Sequence, residues 1–293
     1  MRDDILAPSH VVDIGRVADV DHFDTSGPTL RFGALAKMAD VAEDPALRAD
    51  YPALAESLRL AASQQLRNTA TIGGNVLQRT RCPYYRDGTS ACNKRAPGSG
   101  CSAIDGVNRD HAVLGGSESC AAVYPGDLGV ALIAFDAQGE LASATGPRTL
   151  RFADLHRDVA DRPDRETNLQ PGEITAVTVP ASPTGRRSAY VKVRDRASYA
   201  FAVASTAVVL EIEGGVVTAA RVGLGGVATR PWRSPVAEAE LVGRPLTPES
   251  TRAAGQAAFA TAVPRRDNAV KTALEPRVVE RACLLAHSRG ESR

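Results

Sequence analysis

Apolar positions along the chain follow a helical period in the first half and a strand period in much of the second. Leu54, Leu58, Ala61 and Ala62 recur at helical spacing, so residues 52–66 read as one amphipathic helix. Upstream, residues 11–14 read as a short extended piece, followed by a hairpin-like stretch and a helix over 32–41. Asp127 opens a further helix over 128–135, and 140–144 and 174–179 read as strands. Residues 157–172 form a Pro- and charge-rich loop, and 181–185 a linker. Beyond it the chain is β-rich over 188–194, 202–211 and 216–223, with Gly214-Gly215 as a two-residue hairpin turn. Thr247 and Pro248 are the cap and first-turn proline of a helix. A last helix over 268–288 carries Leu274, Val278, Ala282 and Leu285 on one face. The pattern predicts an α+β protein with the second module beginning near residue 186.

Composition narrows the class only slightly. With 293 residues, 43% hydrophobic and 24% charged, the chain has the makeup of a globular protein of about two domains. Its 35 basic and 34 acidic side chains leave a net charge of +1, so no electrostatic footprint points to nucleic acid or an anionic membrane. No apolar run reaches the ~20 residues of a membrane span, and the first residues lack an apolar segment of signal-peptide length.

The cysteines change the picture. Cys82, Cys92, Cys101 and Cys120 lie in one Gly-, Pro- and Ser-rich segment, and Cys283 stands apart on the last helix, where the core is its expected place. An odd total of five argues against a disulfide framework. A long irregular loop needs an organiser, and four thiolates around one metal centre would supply it. The gaps of nine, eight and eighteen residues contain no C-x-x-C knuckle, which weakens an ordinary zinc ribbon. Arg79, Arg81, Arg86, Lys94 and Arg95 would offset the charge of a thiolate-held cluster. An iron–sulfur cluster, zinc and unrelated reduced cysteines all remain open on the cysteines alone.

A second signal is Thr71-Ile72-Gly73-Gly74-Asn75, directly before the cysteine segment. Paired glycines allow close backbone approach and turn N–H groups toward a phosphate, with the Thr71 hydroxyl and Asn75 amide as further donors. The spacing is not the G-x-G-x-x-G of a dinucleotide fold, and most such pairs simply make turns.

Taken together, residues 65–75 resemble the second flavin-binding motif of the molybdenum hydroxylase flavoprotein subunits, the family of xanthine dehydrogenase FAD domains and carbon monoxide dehydrogenase medium subunits. The resemblance continues through Tyr124-Pro125-Gly126-Asp127-Leu128 and Tyr190-Val191-Lys192-Val193-Arg194. The cysteine-bearing insert is similar to a narrower branch, the [4Fe–4S]-containing FAD subunits of periplasmic-type aldehyde oxidoreductases. The resemblance implies a PCMH-type (vanillyl-alcohol-oxidase-like) FAD-binding domain over 1–182 with an insert at 79–122. A CO-dehydrogenase-flavoprotein C-terminal α+β domain would follow over 186–289.

It also implies roles. Thr71, Ile72, Gly73, Gly74 and Asn75 would hold the FAD diphosphate, and Asp127 would anchor the flavin, its competing role being a helix N-cap. Lys192 would lie near the isoalloxazine, its competing role being a solvated strand lysine. Cys82, Cys92, Cys101 and Cys120 would ligate a [4Fe–4S] cluster, with zinc as the alternative. The implied partners are a molybdopterin-binding large subunit and a [2Fe–2S] small subunit. The compartment would be cytoplasmic, or periplasmic by co-export with a signal-bearing partner. Family members carry an earlier Ala-Gly-Gly-Thr loop, whereas the Gly-Gly pairs here fall at 73, 115, 214 and 225, so the chain is expected to start inside the first subdomain. A mis-assigned start and a true truncation both fit that departure. The rival functional class is a flavin-free scaffold subunit that binds zinc or a cluster.

Overall fold

The computed structural model describes residue 5 and residues 7–143, 145–160, 162–170 and 173–291. Strands β1 (Phe23–Asp24), β2 (Thr29–Phe32), β3 (Gln138–Ser143), β4 (Gly146–Arg151) and β5 (Ile174–Pro180) form an antiparallel sheet in the order β1-β2-β5-β3-β4. Strands β6 (Ser188–Val193), β7 (Ala204–Glu213), β8 (Val216–Gly225) and β9 (Trp232–Arg233) form a second antiparallel sheet in chain order. Between β2 and β3 run α1 (Met38–Glu43), α2 (Pro45–Asp50), α3 (Pro52–Arg59), α4 (Gln64–Arg67), α5 (Ile72–Val76), α6 (Pro83–Arg86) and α7 (Leu128–Ala134). Helices α8 (Pro235–Leu241), α9 (Pro248–Ala258) and α10 (Val270–Glu291) close the chain.

The second sheet is the joint of the molecule. Side chains alternate across a strand, so Tyr190, Ala207 and Val209 enter one core with Leu54, Leu58, Leu128 and Leu132. Ala189, Val208 and Leu210 enter the other, with Val279, Ala282 and Ala286 of α10. Helices α3 and α7 thus cover one face, and α8 and α10 the other. Being buried on both sides explains why β7 reads as a nearly continuous apolar run. Its hairpin to β8 turns on Gly214 and Gly215, both at positive φ (56° and 82°), the handedness a two-residue turn requires.

Several expectations need correction. The stretch 32–41 is not one helix: Leu30 and Phe32 alternate inward on β2, and α1 begins only at Met38. The helix expected over 52–66 breaks after Arg59, because Ala62 takes a positive φ of 49° and Ser63 restarts the chain as the cap of α4. β4 carried too few apolar residues to be read, and α8 was also missed. Residues 11–14 join no sheet among the described residues. Ala144 of the predicted strand, and Asp161, Pro171 and Gly172 of the predicted loop, lie outside the described residues. The capped helix at Thr247 is present, with a reciprocal Thr247–Ser250 capping box.

Candidate cofactor cleft and cysteine cluster

Asp127 stands at the start of α7 but is not its cap, for its carboxylate makes no hydrogen bond to the helix. It turns instead to β6, where Tyr190 donates its hydroxyl to Oδ1 at 2.6 Å and Lys192 its ammonium to Oδ2 at 2.8 Å. Tyr190 and Lys192 share a face because they are two apart on one strand. Lys192 also donates to the Leu60 carbonyl at 3.1 Å, and Arg194 reaches the same oxygen at 3.0 Å, two cations at the C-terminal end of α3. Burial pushes the Asp127 carboxyl up, opposed by Lys192 and Tyr190; burial likewise pushes the Lys192 ammonium down, opposed by Asp127. The Lys192 side chain is 1% exposed, so it is not the solvated strand lysine of its competing role. It is the counter-ion beneath Asp127.

Thr71-Ile72-Gly73-Gly74-Asn75 forms the first turn of α5 rather than an open turn. The Thr71 hydroxyl accepts from the Gly74 N–H at 3.2 Å as the helix N-cap. Ile72 and Gly73 donate their N–H groups to Ala36 and Ala34 carbonyls at 3.0 and 2.8 Å, and Asn75 donates its own to Thr71 at 2.9 Å. A Cβ on Gly73 would stand 2.9 Å from the Ala34 oxygen, so this glycine is explained by backbone packing. The expected row of free N–H groups for a diphosphate is therefore already committed. Gly74 is exposed, and the buried Asn75 Oδ1 has no partner.

Two cavities meet over Asp127. One of about 880 Å³ is lined by Asn75, Arg81, Tyr199 and Phe201, and one of about 300 Å³ by Cys82, His111 and Phe201; both include Thr80, Pro125 and Asp127. Together they form a trough, rimmed by the exposed Tyr199 and Phe201. The Arg81 guanidinium lies 5.5 Å from the Phe201 ring centre. Tyr124 ties the floor to α5 by donating its hydroxyl to the Val76 carbonyl at 2.9 Å. The volume, the aromatic rim and the unpartnered Asn75 oxygen fit a large planar cofactor with a polar tail.

The cysteine insert is organised in part by hydrogen bonds, besides whatever its cysteines hold. Asn93 Oδ1 accepts from Gly98 and Gly100 N–H at 3.0 and 2.9 Å, and Arg95 donates to the Tyr84 and Tyr85 carbonyls. The fully buried Asn108 donates to three carbonyls of its own loop and accepts from the Asp267 N–H at 2.9 Å. Lys271 of α10 donates to the His111 carbonyl at 3.0 Å. The insert is thereby docked on the C-terminal module.

Within it, Cys92 and Cys101 pair across an antiparallel bridge. Burial pushes the Cys82 thiol up to about 11, with Cys92 and Cys120 adding to the shift. Cys120 is pushed up by burial, with Lys94 opposing and Cys101 and Cys92 adding. Cys82 and Cys120 thus each feel Cys92, and Cys120 also feels Cys101. Among the described residues, however, no three His, Cys, Asp or Glu side chains converge as a single-ion site. Cys283 is fully buried in the second core, its thiol pushed up to about 12, as expected for a packing residue. The sequence assigned no role to Tyr190, although it stands in the same motif two positions from Lys192, nor to His111, whose ring touches Cys82.

Comparison with known proteins places this arrangement. Residues 1–182 match the FAD binding domain in molybdopterin dehydrogenase, and 188–281 the CO dehydrogenase flavoprotein C-terminal domain. The chain belongs to the FAD-binding medium subunits of the molybdenum hydroxylase family, and is an oxidoreductase subunit. The aldehyde oxidoreductase FAD-binding subunit PaoB of Escherichia coli is 42% identical over 296 residues, spanning 100% of this chain and 88% of that protein. The carbon monoxide dehydrogenase medium chain of Hydrogenophaga pseudoflava is 28% identical over 96% of this chain and 83% of its own length. A solved structure of carbon monoxide dehydrogenase from that organism superposes with a TM-score of 0.74 at 27% identity, covering 99% of this chain and 85% of the matched one. No helix among the described residues is long and apolar enough to cross a membrane.

Proposed function

We propose that this chain is the electron-transferring subunit of a molybdenum-dependent aldehyde oxidoreductase. In this reading it holds FAD in the trough over Asp127 and a [4Fe–4S] cluster between Cys82, Cys92, Cys101 and Cys120. When bound, the flavin would supply two-electron redox chemistry. Its partners would be a molybdopterin-binding large subunit and a [2Fe–2S] small subunit; that it has partners at all is supported by relatives named as a subunit and as a medium chain.

The observation that carries the reading is continuity. The smaller cavity is lined by both Asp127 and Cys82, so one trough borders both proposed redox groups. Asp127 is held rigidly by Tyr190 and Lys192 and presents a fixed acceptor to the cleft floor. Asn75 offers an unpartnered amide oxygen from the α5 side. Gly74 leaves its exposed edge free of any side chain, whereas Gly73 serves packing. Around the cysteines, an all-thiol donor set is the chemistry an iron–sulfur cluster takes, and the lack of a C-x-x-C knuckle weakens zinc. Lys94, buried and bonded to Glu166 at 2.9 Å, places a cation near Cys120 to offset cluster charge.

The test is iron, sulfide, zinc and flavin analysis of the complex co-expressed with its partner subunits. The reading expects FAD together with iron and sulfide, and loss of the iron on Cys101→Ser. A complex that carries neither flavin nor iron would refute it.

A further inference from the structure

His111 touches a cysteine of the insert: its Nε2 lies 3.2 Å from the Cys82 sulfur. The imidazole is buried at 2% exposure, and its Nδ1 has no hydrogen-bond partner. That asymmetry selects the proton's place. A proton on Nδ1 would strand a buried N–H donor, which proteins rarely tolerate, whereas a proton on Nε2 strands only an acceptor and aims the N–H at sulfur.

The ring is also fixed on its backbone side. The His111 N–H donates to Asn108 at 3.0 Å, and its carbonyl accepts from Lys271 at 3.0 Å and Asn268 at 3.1 Å. These anchors come from the insert itself and from the C-terminal module, so the backbone that carries the imidazole is held where the two dock. Of the four clustered cysteines, Cys82 is the one that lines the cavity over Asp127, and His111 lines the same cavity beside it.

We propose that His111 is a positioning residue that donates an Nε2–H···S hydrogen bond to Cys82, holding the sulfur that faces the flavin trough and raising the reduction potential of the group bound there. This rests on the reading of Cys82 as a cluster ligand. A donor aimed at a ligating sulfur stabilises the electron-rich, reduced form, so its removal lowers the potential. Lys271, Asn108 and Asn268 then act on Cys82 through His111.

The experiment compares the intact complex with His111→Phe and His111→Gln variants. Iron content is measured first, followed by an EPR-monitored redox titration of the cluster. The expected result is a lower cluster midpoint in His111→Phe and a return toward the original value in His111→Gln, which keeps an N–H donor. Iron lost from His111→Phe but retained in His111→Gln also supports the assignment. An unchanged midpoint in iron-replete His111→Phe overturns it, as does an equal shift or equal iron loss in both variants. Absence of iron from the unmodified complex instead overturns the cluster reading itself, and is seen before either variant is made.

Discussion

Asp127 and Lys192 form a buried ion pair at 2.8 Å, between residues 65 positions apart, with side-chain exposures of 6% and 1%. Such a pair stabilises little against a hydrophobic substitute, but breaking it leaves a lone charge in the core. Lys192→Met is expected to cost about 3–5 kcal/mol near neutral pH. The sign with pH follows from burial, which raises the Asp127 pKa above its ordinary 3.8, further still once Lys192 is gone. The folded variant then keeps a proton that the unfolded chain has lost, so its stability falls as pH rises from about 4 upward. Urea denaturation of the variant at about pH 5 and about pH 8 checks this. A loss of the same size at both would show that the pair's charge is not what matters.

His156 gives the opposite slope. It packs edge-on against Tyr124, with ring centres 4.7 Å apart, and its Nε2 is buried without a partner. Burial lowers its pKa from 6.5 to about 3, with Arg230 adding to the shift. The unfolded chain therefore binds a proton that the folded chain refuses: the contribution is complete above pH 6.5 and is lost as pH falls toward 3. The protein is expected to lose about 1.4 kcal/mol per pH unit across that window from this group. His156→Phe should flatten the stability–pH curve there, as measured by equilibrium denaturation.

The two modules and most strands were legible because their apolar periods are local, and β7 is the clearest case. What stayed hidden was non-local. Asp127 was marked by its motif, but its partners lie on a strand beyond the domain boundary, and no local pattern shows that Lys192 turns inward. Gly73 was read as a ligand residue because a glycine pair looks the same whether it faces a phosphate or the backbone of Ala34. His111 carried no signal at all, since its contact with Cys82 depends on how an aperiodic loop closes over 29 residues.

The two glycines of α5 should separate cleanly. Gly73→Ala drives a methyl onto the Ala34 carbonyl at 2.9 Å, backbone that cannot yield cheaply, and is expected to destabilise by about 1–3 kcal/mol. Gly74→Ala meets only the Thr71 hydroxyl at 3.0 Å on an exposed surface, so the thermal midpoint should barely move. If the proposed seat of the cofactor is right, Gly74→Ala still lowers the flavin recovered per chain. Calorimetry and flavin absorbance on the same samples read the two effects, and a Gly73→Ala protein as stable as the parent would contradict the packing account.

Glu275 on α10 is fully buried, with Oε1 accepting from the Thr206 hydroxyl at 2.8 Å and Oε2 without a partner. The nearby Lys271 turns away, donating to the His111 and Gly226 carbonyls at 3.0 and 2.7 Å. A carboxylate here would be an uncompensated charge, and burial accordingly holds the Glu275 pKa well above its ordinary 4.5. The folded protein therefore keeps this proton where the unfolded chain releases it, and stability from this group falls as pH rises above about 4.5. Glu275→Gln preserves the size and the Thr206 hydrogen bond while removing the titration. It is expected to be more stable than the parent at about pH 8 and nearly equal to it near pH 4.5, so the two curves should diverge steadily upward. Curves that run parallel over that range would mean that Glu275 is ionised in the folded protein, and that α10 carries a buried charge held by some other group.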